Sequence, residues 1–145
     1  EISAYSFIDM AKKAEPLMTE GGTLITLTYQ GSRKATPWYN VMGVAKAALE
    51  SAVVYLANDL GPQKIRVNAI SPGPMKTLSG AAIGGARKTF RFTEANTPLR
   101  ANATKASVGG TAVYLASDYG ECTTGETIMV DGGLHILGLP QPENF

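Results

Sequence analysis

Apolar positions along the chain recur with two different periods, and the switches between them divide it into elements. From Ile2 to Met18, the residues Phe7, Met10, Ala11, Ala14, Leu17 and Met18 follow helical spacing. Ser3 is placed to cap this helix and Gly21-Gly22 to end it. Thr23–Thr28, TLITLT, is short, β-branched and bounded by glycine, which is the signature of a strand. Its alternation is too weak for one wet face, so cover on both sides is expected, as in a parallel sheet. The polar loop Gln30–Pro37 leads into a helix expected from about Trp38 to Leu60, where Gly61-Pro62 stops it. Lys64–Ser71 reads as a second strand, closed by Pro72-Gly73-Pro74. Met75–Pro98 carries Gly80, Gly84 and Gly85 among short apolar pieces, and a connection of that length is usually a functional lid or disordered. Thr104 is placed to cap a helix over Lys105–Ala116, with Val108, Ala112, Leu115 and Ala116 on one face. Gly109-Gly110 costs that helix stability and implies close packing. Glu126–Val130 is a third strand before Asp131-Gly132-Gly133, and the tail from Leu134, with Pro140 and Pro142, is irregular.

The order is therefore α-β-α-β-lid-α-β. Strands separated by helices imply right-handed crossovers and a parallel sheet with helices on both faces. Three such strands make one half of a doubly wound, Rossmann-like α/β fold, with no internal repeat and no domain linker. The helix ending at Leu60 is rich in small residues: Gly43, Ala45, Ala47, Ala48, Ser51, Ala52 and Ala57. Val41, Val44, Val53, Val54 and Leu56 leave little of its circumference polar, so burial on two sides is expected, one on the sheet and one on another subunit.

Composition narrows the function classes. With 145 residues, 44% of them hydrophobic, the chain is long enough for one core. Thirteen Lys plus Arg against 12 Asp plus Glu argue against general affinity for nucleic acid or anionic membrane. A single cysteine, Cys122, and a single histidine, His135, exclude a disulfide framework and a Cys/His zinc site, so no metal is expected. No apolar run reaches the roughly 18 residues of a membrane span, and no charged-then-apolar leader opens the chain. A soluble, cytoplasmic protein is expected. The chain begins at Glu1 directly in a helical pattern, which suggests processing or a larger parent.

Candidate chemistry gathers at one place. In open α/β sheets ligands sit beyond the carboxyl ends of the strands. Tyr29 with the loop to Tyr39, the turn following Ser71, and Asp131-Gly132 all lie there. On a helix opening near Tyr39, seven residues turn about 700°, so Tyr39 and Lys46 project from one face about 10 Å apart. Taken alone, the pair reads as a core aromatic and a solvated cation. No G-x-G-x-x-G or P-loop occurs, so nothing in these residues cradles a pyrophosphate.

The segments LTY (27–29), YNVMGVAKAALE (39–50), IRVNAISPGPMKTL (65–78) and GETIMVDGG (125–133) together resemble the C-terminal half of a short-chain dehydrogenase/reductase. The resemblance is specifically to bacterial-type enoyl-acyl-carrier-protein reductases and covers essentially the whole chain. Ordinary members of the superfamily space their tyrosine and lysine as Y-x3-K; here Tyr39 and Lys46 stand as Y-x6-K, with Tyr29 ten residues upstream.

The resemblance implies reduction of the 2,3-double bond of an enoyl thioester on acyl carrier protein, in fatty-acid biosynthesis. Hydride would come from NADH, with NADPH left open because the residue that reads the ribose 2′ position lies outside these residues. It assigns Tyr39 as donor to the developing enolate, Lys46 to the nicotinamide ribose, and Tyr29 to protonation or substrate positioning. Pro74, Met75, Lys76, Thr77, Leu78 and Ser79 would meet the cofactor. Met42, Ile83 and Phe90, with the two tyrosines, would line the acyl site. Arg87 and Lys88, with Arg91 beside them, would dock the acidic carrier protein, although Gly84 stands where a third basic residue is often found. Pro72 replaces an alanine common in relatives and would stiffen the turn. A homotetramer is implied. On this reading residues 1–145 are the C-terminal part of a single reductase domain with a substrate lid at about 75–98, and the phosphate-binding half is absent. Two alternatives stand: a carbonyl reductase such as a β-ketoacyl reductase, against which the Tyr–Lys spacing and Thr28-Tyr29 in place of a strand-end serine both speak, and a non-catalytic fragment or interaction module.

Overall fold

The structure is a computed structural model and describes residues 3–76 and 86–144. Three parallel strands form its centre: β1 (Gly22–Leu27), β2 (Ile65–Pro72) and β3 (Thr127–Val130), in the order β1-β2-β3. β1 pairs with β2 from Gly22↔Ile65 to Leu27↔Ile70, and β2 with β3 from Ala69↔Thr127 to Pro72↔Val130. β2, IRVNAISP, is the interior strand, and all of it is buried except half-buried Arg66. That is the near-continuous burial expected of a strand covered on both faces.

Side-chain alternation along β2 sorts the helices. Ile65, Val67 and Ala69 face α2 (Val41–Leu60) and form a core with its Val53, Ala57 and Leu60. Leu24 of β1, paired with Val67, packs on the same core, as do Phe7 of α1 (Ala4–Ala14), Met18 and Leu56. On the opposite face, Asn68 Nδ2 donates to Thr123 O at 2.8 Å and Asn68 Oδ1 accepts from Glu126 N at 3.1 Å. Gly120 stands close to the Arg66 guanidinium on that face, directly after the helix Lys105–Ala116. Helices thus cover both faces, as expected. Both crossovers advance the same way across the sheet from opposite faces, so they have opposite hands, and the expectation of right-handed crossovers holds for only one of them.

Several expected boundaries move, for identifiable reasons. α1 gives way to a single 3-10 turn at Glu15–Leu17, and Ser3, itself in helical conformation, makes no side-chain cap bond. Of its periodic apolar set, Ala11 is buried whereas Met10 and Leu17 are exposed. β1 is an edge of this sheet and is half-buried, with Gly22 and Leu27 at its ends exposed. The helix expected from Trp38 begins at Val41, because Trp38 (φ 65°) and Asn40 (φ 49°) take positive φ and break the helical path. Tyr39 therefore stands in the turn before α2, and the two-turn rotation expected to align it with Lys46 does not describe its placement.

Within the stretch expected to be a lid connection, Ala86–Asn96 forms a helix, α3. α4 (Lys105–Ala116) begins as expected, with a reciprocal capping box between Thr104 and Ser107. Its Gly109 and Gly110 were expected to be closely packed, but a Cβ on either would meet nothing within 4 Å. Val41–Gln63, mean hydropathy 1.2, is long and apolar enough to pass a test of length and composition for a membrane span, a test that the core helix of a protein outside the membrane passes equally. Lys46 and Glu50 interrupt it, and both are engaged at the end of β1.

Candidate active site

The site begins where β1 ends. Thr28 N donates to Ile70 O at 2.8 Å, carrying the ladder one residue further, and Tyr29 follows in extended conformation. The chain then folds back through a 3-10 turn, Gln30–Ser32, with Ser32 N on Tyr29 O at 3.0 Å and Arg33 N on Gln30 O at 2.9 Å. Tyr39 is held by its amide on Thr36 O and by its carbonyl, which accepts from Met42 N, both at 3.1 Å. The rings of Tyr29 and Tyr39 meet edge to face, centroids 5.0 Å apart at 62°.

Two glycines permit this approach. A Cβ on Gly31 would lie 2.5 Å from Tyr39 Cδ1, and one on Gly43 would lie 2.6 Å from Gly31 O. The small-residue face at the start of α2 thus has a local use, since it lets the tyrosine loop lie on the helix.

Lys46 Nζ donates to Leu27 O at 3.0 Å. Among the described residues that is its one acceptor, so two further N–H donors of the ammonium remain for a ligand such as a vicinal diol. The residues present therefore fit the ribose end of a nicotinamide cofactor. They offer no glycine-rich cradle for its pyrophosphate.

One turn along α2, Glu50 accepts three hydrogen bonds. Thr28 Oγ1 (2.7 Å) and Ser32 Oγ (2.5 Å) both donate to Oε1, and Arg33 Nε (2.9 Å) donates to Oε2. Sequence reasoning gave Glu50 no role. The available signal was its position four residues after Lys46, on the same stripe of the helix.

Burial raises the Tyr29 phenol above its ordinary 10.0; the Asp131 carboxylate adds to this and the Gln30 side chain partly offsets it. Burial also raises Tyr39, with Tyr29 contributing. The Lys46 ammonium is lowered from 10.5 by burial, against which the Glu50 charge acts. Both phenols are therefore protonated donors throughout the neutral range.

The other expected site residues are spread around this centre. Pro74 and Met75 are half-buried after β2, and exposed Lys76 lies 4.9 Å over the Phe90 ring, which links the turn to α3. Thr77, Leu78, Ser79, Ile83 and Gly84 lie outside the described residues. Met42 is exposed in the first turn of α2. Arg87, Lys88 and Arg91 are exposed on α3, apart from the tyrosines. Buried Asp131 accepts from Gly133 N and His135 N, both at 2.9 Å, and faces His135 Nδ1 at 3.0 Å. Lys34 Nζ donates to His135 O, which ties the tyrosine loop to the tail. A cavity of about 370 Å³ opens near the end of β3, lined by Leu99, Ser107, Met129 and Asp131 among others, and neither tyrosine nor Lys46 lines it. Among the described residues no cluster of three or more His, Cys, Asp or Glu side chains could hold a metal ion.

Residues 1–135 match the family described as Enoyl-(Acyl carrier protein) reductase. The chain belongs to that family. It is 53% identical over 142 residues to enoyl-acyl-carrier-protein reductase (NADH) 2 of Rhizobium meliloti, covering 98% of this chain and 53% of that protein. Among solved structures, the Anaplasma phagocytophilum enoyl reductase in complex with NAD is 55% identical, with TM-score 0.91 over 96% of this chain and 53% of that one. The Bacillus cereus enoyl reductase with NADP+ and indole naphthyridinone is 53% identical, with TM-score 0.92 over 94% and 53%. The chain spans about half the length of the curated relatives it matches. Its sheet is the Rossmann-like parallel sheet of these enoyl reductases over the shared segment.

Proposed function

We propose that residues 1–145 are the C-terminal part of a single Rossmann-like reductase domain, and that the whole enzyme reduces the 2,3-double bond of enoyl thioesters on acyl carrier protein with NADH. The single observation that carries this reading is the pair of protonated, edge-to-face phenols that follows the end of β1, where Lys46 is bonded to Leu27 O. The names of the relatives and the absence of a pyrophosphate cradle support it.

NADH, when bound, supplies a hydride to the β-carbon. As that bond forms, the double-bond electrons move onto the thioester oxygen, and a proton at the α-carbon completes the reduction. Tyr39 donates a hydrogen bond to that oxygen where negative charge builds, in a site partly closed to water. Lys46 holds the ribose hydroxyls. Tyr29 supports the Tyr39 ring and shapes the thioester site. Pro74, Met75 and Lys76 meet the nicotinamide end, Met42 and Phe90 line the acyl path, and Arg87 and Lys88 meet the acidic carrier protein. Thr77, Leu78, Ser79 and Ile83, outside the described residues, are assigned to the same two sites by the resemblance alone.

The test is a hybrid in which these residues replace the matching part of the Rhizobium meliloti relative. With NADH it is expected to reduce crotonyl thioester and to leave acetoacetyl thioester untouched. Turnover of the ketone alone would instead make it a carbonyl reductase.

A cytoplasmic homotetramer completes the proposal. Val41 and Val44 of α2 are 77% and 72% exposed beside small Ala47, Ala48 and Ser51. On the other face of the sheet, Val113 of α4 is 68% exposed beside open Gly109 and Gly110. Two separate apolar faces suit two different two-fold interfaces, which close as a tetramer of dihedral symmetry. Light scattering of the hybrid at micromolar concentration is expected to give four times the monomer mass, and a monomer contradicts it.

A further inference from the structure

We infer that Glu50 is a positioning residue whose carboxylate clamps the Tyr29 loop to α2 and thereby sets the ring of Tyr39. The inference rests on the functional reading above and deepens it.

The clamp spans two segments of chain. Thr28, at the end of β1, and Ser32, at the end of the 3-10 turn, both donate to the same oxygen of Glu50. They bracket Tyr29, Gln30 and Gly31, so the short piece carrying one tyrosine is fixed at both ends. The turn's own backbone bonds, Ser32 N on Tyr29 O and Arg33 N on Gln30 O, hold its shape and do not attach it to the helix. Glu50 supplies that attachment.

From there the constraint passes by contact. Gly31, next to Ser32, presses its backbone against the edge of the Tyr39 ring and sets its carbonyl against Gly43 of α2. Any slack at Ser32 becomes slack at Tyr39, whose hydroxyl must meet an oxygen to within a fraction of an ångström. The Glu50 side chain is 12% exposed, whereas its ion-pair partner Arg33 is 58% exposed. A solvated arginine contributes little by itself, so the two hydroxyls are the contacts that matter. Thr28, 4% exposed, has its hydroxyl satisfied by this carboxylate. Glu50 also lies one turn from Lys46 and opposes the loss of its charge.

The variants separate geometry from charge. Glu50→Gln keeps the Oε1 acceptor for both hydroxyls and gives up the contact with Arg33 and the charge that favours the Lys46 ammonium. Glu50→Ala removes all three bonds. In the hybrid with crotonyl thioester, Glu50→Ala is expected to lower kcat about tenfold or more with KM for NADH within roughly threefold, and Glu50→Gln to restore kcat to within roughly threefold. Amide exchange of Ser32, Arg33 and Lys34 is expected to quicken about tenfold in Glu50→Ala while the β2 amides of Val67–Ile70 stay unchanged. The inference is overturned if Glu50→Ala keeps its kcat, if Gln and Ala fall together, or if exchange rises equally in β2, which marks a merely structural role. An unsubstituted hybrid that does not reduce crotonyl thioester defeats the functional reading and the catalytic half of this inference. The exchange result then still upholds or overturns the clamp.

Discussion

Tyr39→Phe is expected to lower kcat for crotonyl thioester reduction by about 100-fold while leaving KM for NADH within roughly threefold. The change removes one oxygen and keeps the ring. The ring makes the edge-to-face contact with Tyr29, and the ring edge meets Gly31, so the packing of the loop on α2 survives. What is lost is a donor aimed at charge that exists only as hydride is transferred, so the deficit falls on kcat. Because burial raises the phenol above 10.0, the donor is present across the whole neutral range and the deficit is the same at pH 6 and pH 9. Steady-state kinetics of the hybrid check this. An unchanged kcat, or a loss carried by KM alone, would remove Tyr39 from the oxyanion role.

Lys46→Met is expected to weaken NADH binding by about 10- to 100-fold, the worth of one or two charge-assisted hydrogen bonds. Methionine keeps the apolar stem along α2 and deletes the ammonium, including its bond to Leu27 O. The pH dependence gives a second reading. Burial lowers Lys46 from 10.5, so NADH affinity of the unsubstituted hybrid begins to fall below that pH, and the fall is absent in Lys46→Met. The stability signs are opposed. A lowered lysine binds fewer protons folded than unfolded, so its contribution to stability grows as pH rises toward 10.5. The two raised phenols hold protons longer when folded, so theirs is full below 10.0 and is lost as pH climbs through the raised values. Calorimetric titration of NADH across pH 7 to 10.5 checks the binding prediction; flat affinity without the substitution would contradict it.

Much of the fold could be read from the pattern of the sequence because its strands and α4 obey local rules. β2 carries Ile65, Val67 and Ile70 and is closed by Pro-Gly-Pro, and Thr104 with Ser107 is a self-contained cap. The start of α2 could not be read in this way. Trp38 and Asn40 adopt positive φ where the Tyr39 loop packs on Gly43; Asn40 is a residue type that favours positive φ and helix N-caps, whereas nothing in Trp38 announces the turn. α3 is hard to read from the pattern because ARKTFRFTEAN holds few apolar residues and buries the polar Thr93 and Asn96. In the site, the tyrosines and Lys46 stood out through the resemblance and their spacing. Glu50 did not, since its role depends on Thr28 and Ser32, 22 and 18 residues away, folding back onto α2.

The most direct measurement is the fate of the transferred hydride. The hybrid is given crotonyl thioester and NADH carrying deuterium at the transferring position of its nicotinamide. The expected product is a butyryl thioester with one deuterium on the β-carbon and a solvent-derived hydrogen on the α-carbon. Label absent from the β-carbon, or label delivered only to the carbonyl carbon of acetoacetyl thioester with crotonyl thioester untouched, would contradict enoyl reduction by this site.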